Sequence, residues 1–178
     1  KEENQANPLC YYGLSKWKSE QILQKHSCDW VILRTIIVYG TSDNLSRQNI
    51  VLWAREALKK QEPFNVVDDQ YRSPTLAEDL AQACVLALEK KALGVYNISG
   101  KDIMSIFEMV ERMADFYKFD KSIINRISTK TLNQKAKRPP KTGFILEKAI
   151  NELNYQPHSF EEGLAIVEKQ ILKQQNNN

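Results

Sequence analysis

Between Trp30 and Tyr39 the chain reads WVILRTIIVY, β-branched and almost unbroken in apolar character. Ten residues interrupted by Arg34 are too few to span a bilayer. The run reads instead as a strand buried on both faces within a parallel sheet, closed by Gly40. Such a strand cannot stand alone. It needs parallel neighbours on at least one edge and helices above and below, so an α/β architecture follows.

The surrounding segments agree. A helix is expected from about Tyr11 to Lys25, another over Ile50 to Lys60, and a short strand at Phe64 to Val67. Thr75 with Glu78 has the spacing of a capping box, which predicts a helix from about Leu76 to Lys90. Gly94 to Gly100 reads as a strand and its turn. Ser105 with Glu108 repeats the capping box, and Ile106, Met109, Val110, Met113, Ala114 and Tyr117 recur at spacings of three and four, the stripe of a core-facing helix. Ile123 to Ile127 suggests a strand, and Leu146 to Leu153 a helix. A last helix capped by Ser159 and Glu162 is expected to fade into the polar tail from Gln174 to Asn178.

The 25 basic and 22 acidic side chains among 178 residues give a net charge of +3, too mixed to imply nucleic acid or an anionic membrane as the partner. Cys10, Cys28 and Cys84 form no disulfide or zinc pattern, and no leader-like start is present, so a cytoplasmic protein is expected. His26 and His158 lack companions at metal-ligand spacing, and no metal site is expected. Asp68 and Asp69 are adjacent on a strand end and point apart, which excludes a paired-carboxylate site. The chain begins at Lys1 and its first methionine is Met104, which suggests an upstream segment.

Tyr12 and Lys16 stand one helical turn apart on the same face. A phenol normally titrates near pH 10, and a cation held beside it stabilises the phenolate and lowers that value. Tyr12 is therefore a candidate general acid for carbonyl–alcohol redox chemistry, with Lys16 tuning it and binding a cofactor ribose. Spacing alone is weak support, because Tyr117 and Lys121 repeat it. That second pair reads as structural: Tyr117 continues the apolar stripe and Lys121 falls beyond the helix.

The wider sequence resembles the extended short-chain dehydrogenase/reductase superfamily, and within it the dTDP-4-dehydrorhamnose reductase branch. The matching stretches are NPLCYYGLSKWKSE at 7–20, LRTIIVYG at 33–40, VDDQYRSPTLAEDL at 67–80, GVYNISG at 94–100, RPPKTGFIL at 138–146 and SFEEGL at 159–164. The resemblance implies an NAD(P)-binding Rossmann-like fold with a small substrate-binding subdomain. It implies Tyr12 as catalytic acid/base and Lys16 as its partner, both touching the cofactor, with Ile36 and Ile37 lining the nicotinamide and substrate pocket. It also implies NADP or NAD as cofactor, a nucleotide-sugar substrate and, as is common in the superfamily, a homodimer.

Two departures stand out. The branch usually carries Trp where Ile37 stands and Gly where Arg72 stands. Arg72 reads either as a bidentate clamp on a substrate diphosphate or as a surface group pairing with Asp68 or Asp69. Arg138, in the basic loop, is a second candidate for a nucleotide phosphate or else part of a solvated connection. No G-x-x-G-x-x-G turn occurs in these residues, so the dinucleotide is expected to be held mainly by other sequence. Residues 1–178 then read as the carboxyl-terminal part of a reductase of roughly 300 residues, inactive by itself. An epimerase or dehydratase of the superfamily and a non-catalytic NADP-binding regulatory subunit remain as alternatives.

Overall fold

The computed structural model describes residues 1–42, 48–131 and 139–176. Helix α1 (Tyr11–Gln24) forms where the sequence places it, but none of its residues is buried. The apolar run is not one strand. It splits into β1 (Val31–Thr35) and β2 (Val38–Tyr39), because Ile37 takes a left-handed backbone with φ of +38°. That region is strained for a β-branched side chain and persists only where neighbours enforce it. Thr75 does so: its N–H donates to Ile37 O at 3.1 Å and its hydroxyl to Ile36 O at 2.6 Å.

Helix α2 (Ile50–Lys60) is capped by Asn49, whose Oδ1 accepts from Val51 and Leu52 N–H while its Nδ2 donates to Gly40 O. Strands β3 (Phe64–Val67), β4 (Tyr71–Arg72) and β5 (Thr75–Leu76) follow, then α3 (Ala77–Glu89) and β6 (Gly94–Ile98). The expected capping box on α3 is absent. The residue at the cap position is Leu76, the Thr75 hydroxyl is committed to the β1–β2 break, and Glu78 accepts from Gln170 Nε2. The chain continues through β7 (Met104–Ser105), α4 (Ile106–Tyr117), β8 (Ile124–Ile127), a 3-10 turn at Thr129–Thr131, α5 (Glu147–Leu153) and α6 (Phe160–Asn176). The caps on α4 and α6 use Ser105 and Ser159 as the sequence predicts. Helix α6 runs through Asn176 and so extends past the point where the tail was expected to fade.

Among the described residues β1 pairs with β6, β2 with β5 and β3 with β8, all parallel, and β4 pairs antiparallel with β7. Two hydrophobic clusters hold these pairs. The larger packs α4 and α6 against α2, β3 and β8 through Val51, Leu58, Val66, Met109, Met113 and Leu164. Each such side chain, fully buried, contributes roughly 1.5–3 kcal/mol. The smaller joins Ala83 and Ala87 of α3, Tyr96 and Ile98 of β6, and Leu153 of α5, with Val31 and Leu33 of β1 packed on it. Alternation then turns Ile32 and Arg34 to the opposite face of β1. Instead of the expected burial on both faces, β1 is only half-buried, since α3 and α5 cover one face and, among the described residues, a single edge is paired.

Candidate active site

The open face of β1 and the inward side of α1 enclose a cleft of about 520 Å³, lined by Tyr12, Lys16 and Glu20 of α1, by Ile32, Arg34 and Thr35 of β1, and by Phe144. Four-residue spacing puts Tyr12, Lys16 and Glu20 on one stripe of α1. Tyr12 is 70% exposed, so its phenol is reachable by a ligand. The Lys16 ammonium stands 5.6 Å from the centroid of the Tyr12 ring. Ser15 Oγ donates to Tyr12 O at 2.8 Å and Ser19 Oγ to Ser15 O at 2.9 Å, so both hydroxyls turn back on the helix that carries the pair.

Opposite α1, the Arg34 guanidinium grips Glu20. Nε lies 3.0 Å from Oε1 and Nη2 2.7 Å from Oε2, and the carboxylate's hydrogen bonds, above all, hold the guanidinium above its ordinary pKa. Thr35 continues the wall, and its hydroxyl donates to Thr75 Oγ1 at 3.2 Å. Glu20, Arg34, Thr35 and Phe144 were not singled out from the sequence. Glu20 was legible as the next step of the Tyr12–Lys16 stripe, and Arg34 as the lone charge in an apolar strand. Phe144 carried no signal.

The remaining candidates lie elsewhere. Ile36 and Ile37 form the strand break next to this wall, and Ile37 packs toward the larger hydrophobic cluster. Arg72 is buried, which removes the surface reading. Its Nη1 donates to Tyr71 O at 2.6 Å and Pro140 O at 3.3 Å, and its Nη2 to Gln70 Oε1 at 3.1 Å. Asp68 instead meets Arg126 at 3.7 Å, and Asp69 accepts from Thr129. Arg138 lies outside the described residues. His158 Nδ1 sits 2.5 Å from Asp79 Oδ1, and Lys121 pairs with Asp115. Among the described residues no three or more His, Cys, Asp or Glu gather as a metal site would require, and no helix is long and apolar enough to cross a membrane.

A reachable phenol beside an ammonium that makes no ion pair among the described residues can hold a proton at a carbonyl oxygen and donate hydrogen bonds to a vicinal diol. That donor set fits the nicotinamide-ribose end of a dinucleotide. Residues 1–173 match the family described as RmlD substrate binding domain. A dTDP-4-dehydrorhamnose reductase of Aggregatibacter actinomycetemcomitans is 28% identical over 175 residues, covering 92% of this chain and 58% of that protein. The methionine adenosyltransferase 2 subunit beta of Xenopus tropicalis is 26% identical over 133 residues, 72% of this chain and 40% of that one. Among solved structures, a dTDP-4-dehydrorhamnose reductase from Bacillus anthracis str. Ames in complex with NADP superposes with a TM-score of 0.84 at 27% identity, covering 95% of this chain and 58% of that chain. The chain thus spans about half the length of the proteins it matches.

Proposed function

Because the chain belongs to the RmlD substrate binding domain family, we propose that it is the carboxyl-terminal part of an NADP- or NAD-dependent reductase of a nucleotide-activated 4-keto-6-deoxy sugar. The observation that carries this reading is the Tyr12–Lys16 pair standing over the cleft with both polar ends available. The bound dinucleotide would supply hydride. Tyr12 Oη holds the proton that the sugar's C4 carbonyl oxygen takes up as it becomes a hydroxyl. The Lys16 ammonium favours the phenolate left behind and hydrogen-bonds the cofactor ribose. Thr35 and Phe144 wall the cleft and limit how a ring can lie in it.

Arg72 and Arg138 are the candidates for the substrate diphosphate. To serve, Arg72 must exchange its hydrogen bonds to Tyr71, Pro140 and Gln70 for phosphate oxygens. A cytoplasmic homodimer is the working form this reading assumes. The likeness to a methionine adenosyltransferase subunit favours one second reading, a non-catalytic subunit that binds a dinucleotide. The test is NADPH oxidation, with a dTDP-4-keto-6-deoxyhexose, by a longer polypeptide that contains these residues. The reductase reading expects turnover there, near-complete loss in Tyr12→Phe with cofactor affinity kept, and none from a chain verified by mass spectrometry to start at Lys1. A longer polypeptide that binds NADPH but never oxidises it favours the subunit.

A further inference from the structure

We propose that Arg34 is a positioning residue that holds the Glu20 carboxylate away from Lys16 and so leaves that ammonium unpaired in the cleft. Tyr12, Lys16 and Glu20 share one stripe of α1, and all three line the cleft. A glutamate four residues from a lysine on a helix is an ordinary ion-pair partner for it, even in the weaker lysine-first order. Here that pair is absent: among the described residues Lys16 makes no ion pair, and its ammonium stands over the Tyr12 ring.

Both Glu20 oxygens go instead to Arg34, in the two-pronged geometry that a guanidinium offers and an ammonium cannot. The fork is itself anchored. Arg34 Nη1 donates to Glu2 O at 3.0 Å, and the Glu2 carboxylate accepts from Asn97 N–H at 3.0 Å, on the strand beside β1. The Arg34 and Glu20 side chains are only 25% and 19% exposed, so water does not compete for this pair as it does at an open surface. Released from Arg34, Glu20 would find Lys16 as its nearest cation on the stripe. A carboxylate there would offset the field that Tyr12 feels and occupy donors meant for a ribose. Only this catalytic consequence rests on the acid/base reading of Tyr12 and Lys16.

Competitive acetylation of the 178-residue chain with trace acetic anhydride, read by peptide mass spectrometry with Lys18 as internal reference, tests the charge arrangement without turnover. In Arg34→Gln, the Lys16 rate relative to Lys18 is expected to fall about twofold, the effect of an ordinary helix ion pair. Arg34→Gln combined with Glu20→Gln is expected to restore it, which a merely structural role for Arg34 would not do. An unchanged Lys16 rate in the single variant, or no recovery in the double, overturns the proposal. Should circular dichroism show that Arg34→Gln does not fold, Arg34→Lys must give a smaller fall, and an unchanged rate there overturns it equally. Failure of the acid/base reading shows separately, as turnover that survives Tyr12→Phe.

Discussion

Gly163 of α6 lies so close to Tyr39 of β2 that a Cβ built on it would stand 1.9 Å from the Tyr39 hydroxyl oxygen. The Tyr39 ring also meets Phe160 edge-on, at 5.7 Å between centroids, so the first turn of α6 is seated on the strand that leaves the site. Glycine inside a helix ordinarily costs about 1 kcal/mol relative to alanine. Here the missing side chain is what allows the close approach. Gly163→Ala is therefore expected to destabilise the chain by about 1–3 kcal/mol, the usual range for overpacking, despite alanine's better helix propensity. Urea denaturation measures this. Adding Tyr39→Phe, which removes the obstructing oxygen, should recover part of the loss, and a more stable Gly163→Ala variant would contradict the packing.

Tyr12 separates function from scaffold. It sits on a helix with no buried residue and is itself 70% exposed. Tyr12→Phe removes an exposed hydroxyl and should shift the unfolding free energy by less than about 0.5 kcal/mol, as surface substitutions usually do. In a catalytically competent longer polypeptide the same change should lower kcat by about 10²- to 10⁴-fold, the contribution typical of a positioned general acid. Thermal unfolding and steady-state kinetics on one pair of preparations check both halves. A large stability loss would place Tyr12 in the scaffold.

Thr75 is fully buried and links three positions: its hydroxyl donates to Ile36 O and accepts from the Thr35 hydroxyl, while its backbone N–H meets Ile37 O. Thr75→Val keeps the shape and removes the hydroxyl, leaving Ile36 O without that donor. The expected cost is about 1–3 kcal/mol, the penalty for a buried polar group left unpaired. Thr75→Ser keeps the hydrogen bonds and should cost less. Equal losses in the two variants, by chemical denaturation, would show that the methyl group and not the hydroxyl matters at this position.

The helix stripe and caps that were legible in the sequence are those whose partners are local. The stripe on α4 and the Ser105 and Ser159 caps depend on residues three or four apart, and each is present. Thr75 and Glu78 have the same local pattern but other partners, the strand break and Gln170, and those tertiary bonds displace the cap. The break at Ile37 was hidden for the same reason, since no residue type in the run announces a positive φ and Thr75 lies 38 positions away. At the site, helical spacing offered Tyr12 with Lys16 and Tyr117 with Lys121 alike, and only the resemblance of the surrounding stretch separated them. The Arg34–Glu20 grip was not legible, because it joins a strand to a helix and leaves no periodic trace.

Glu162 supplies a pH-dependent contribution whose sign is fixed by its bonds. Its carboxylate accepts from the Ser159 backbone N–H at 2.6 Å and from the Ser159 hydroxyl at 2.8 Å. The backbone bond chiefly, then the hydroxyl and nearby Lys101, pull its pKa from 4.5 down to about 2. A carboxylate whose folded-state pKa is depressed stabilises the fold in its ionised form. The contribution is therefore fully present above the ordinary value of 4.5 and is lost as pH falls from there toward about 2. Glu162→Gln lacks the ionisable group, so the stability gap between wild type and variant should be widest near neutrality and close progressively across that window. Thermal unfolding of both proteins at a series of pH values measures the gap. A gap that stays constant down to the acid limit would mean that the α6 cap does not depend on the charge of Glu162.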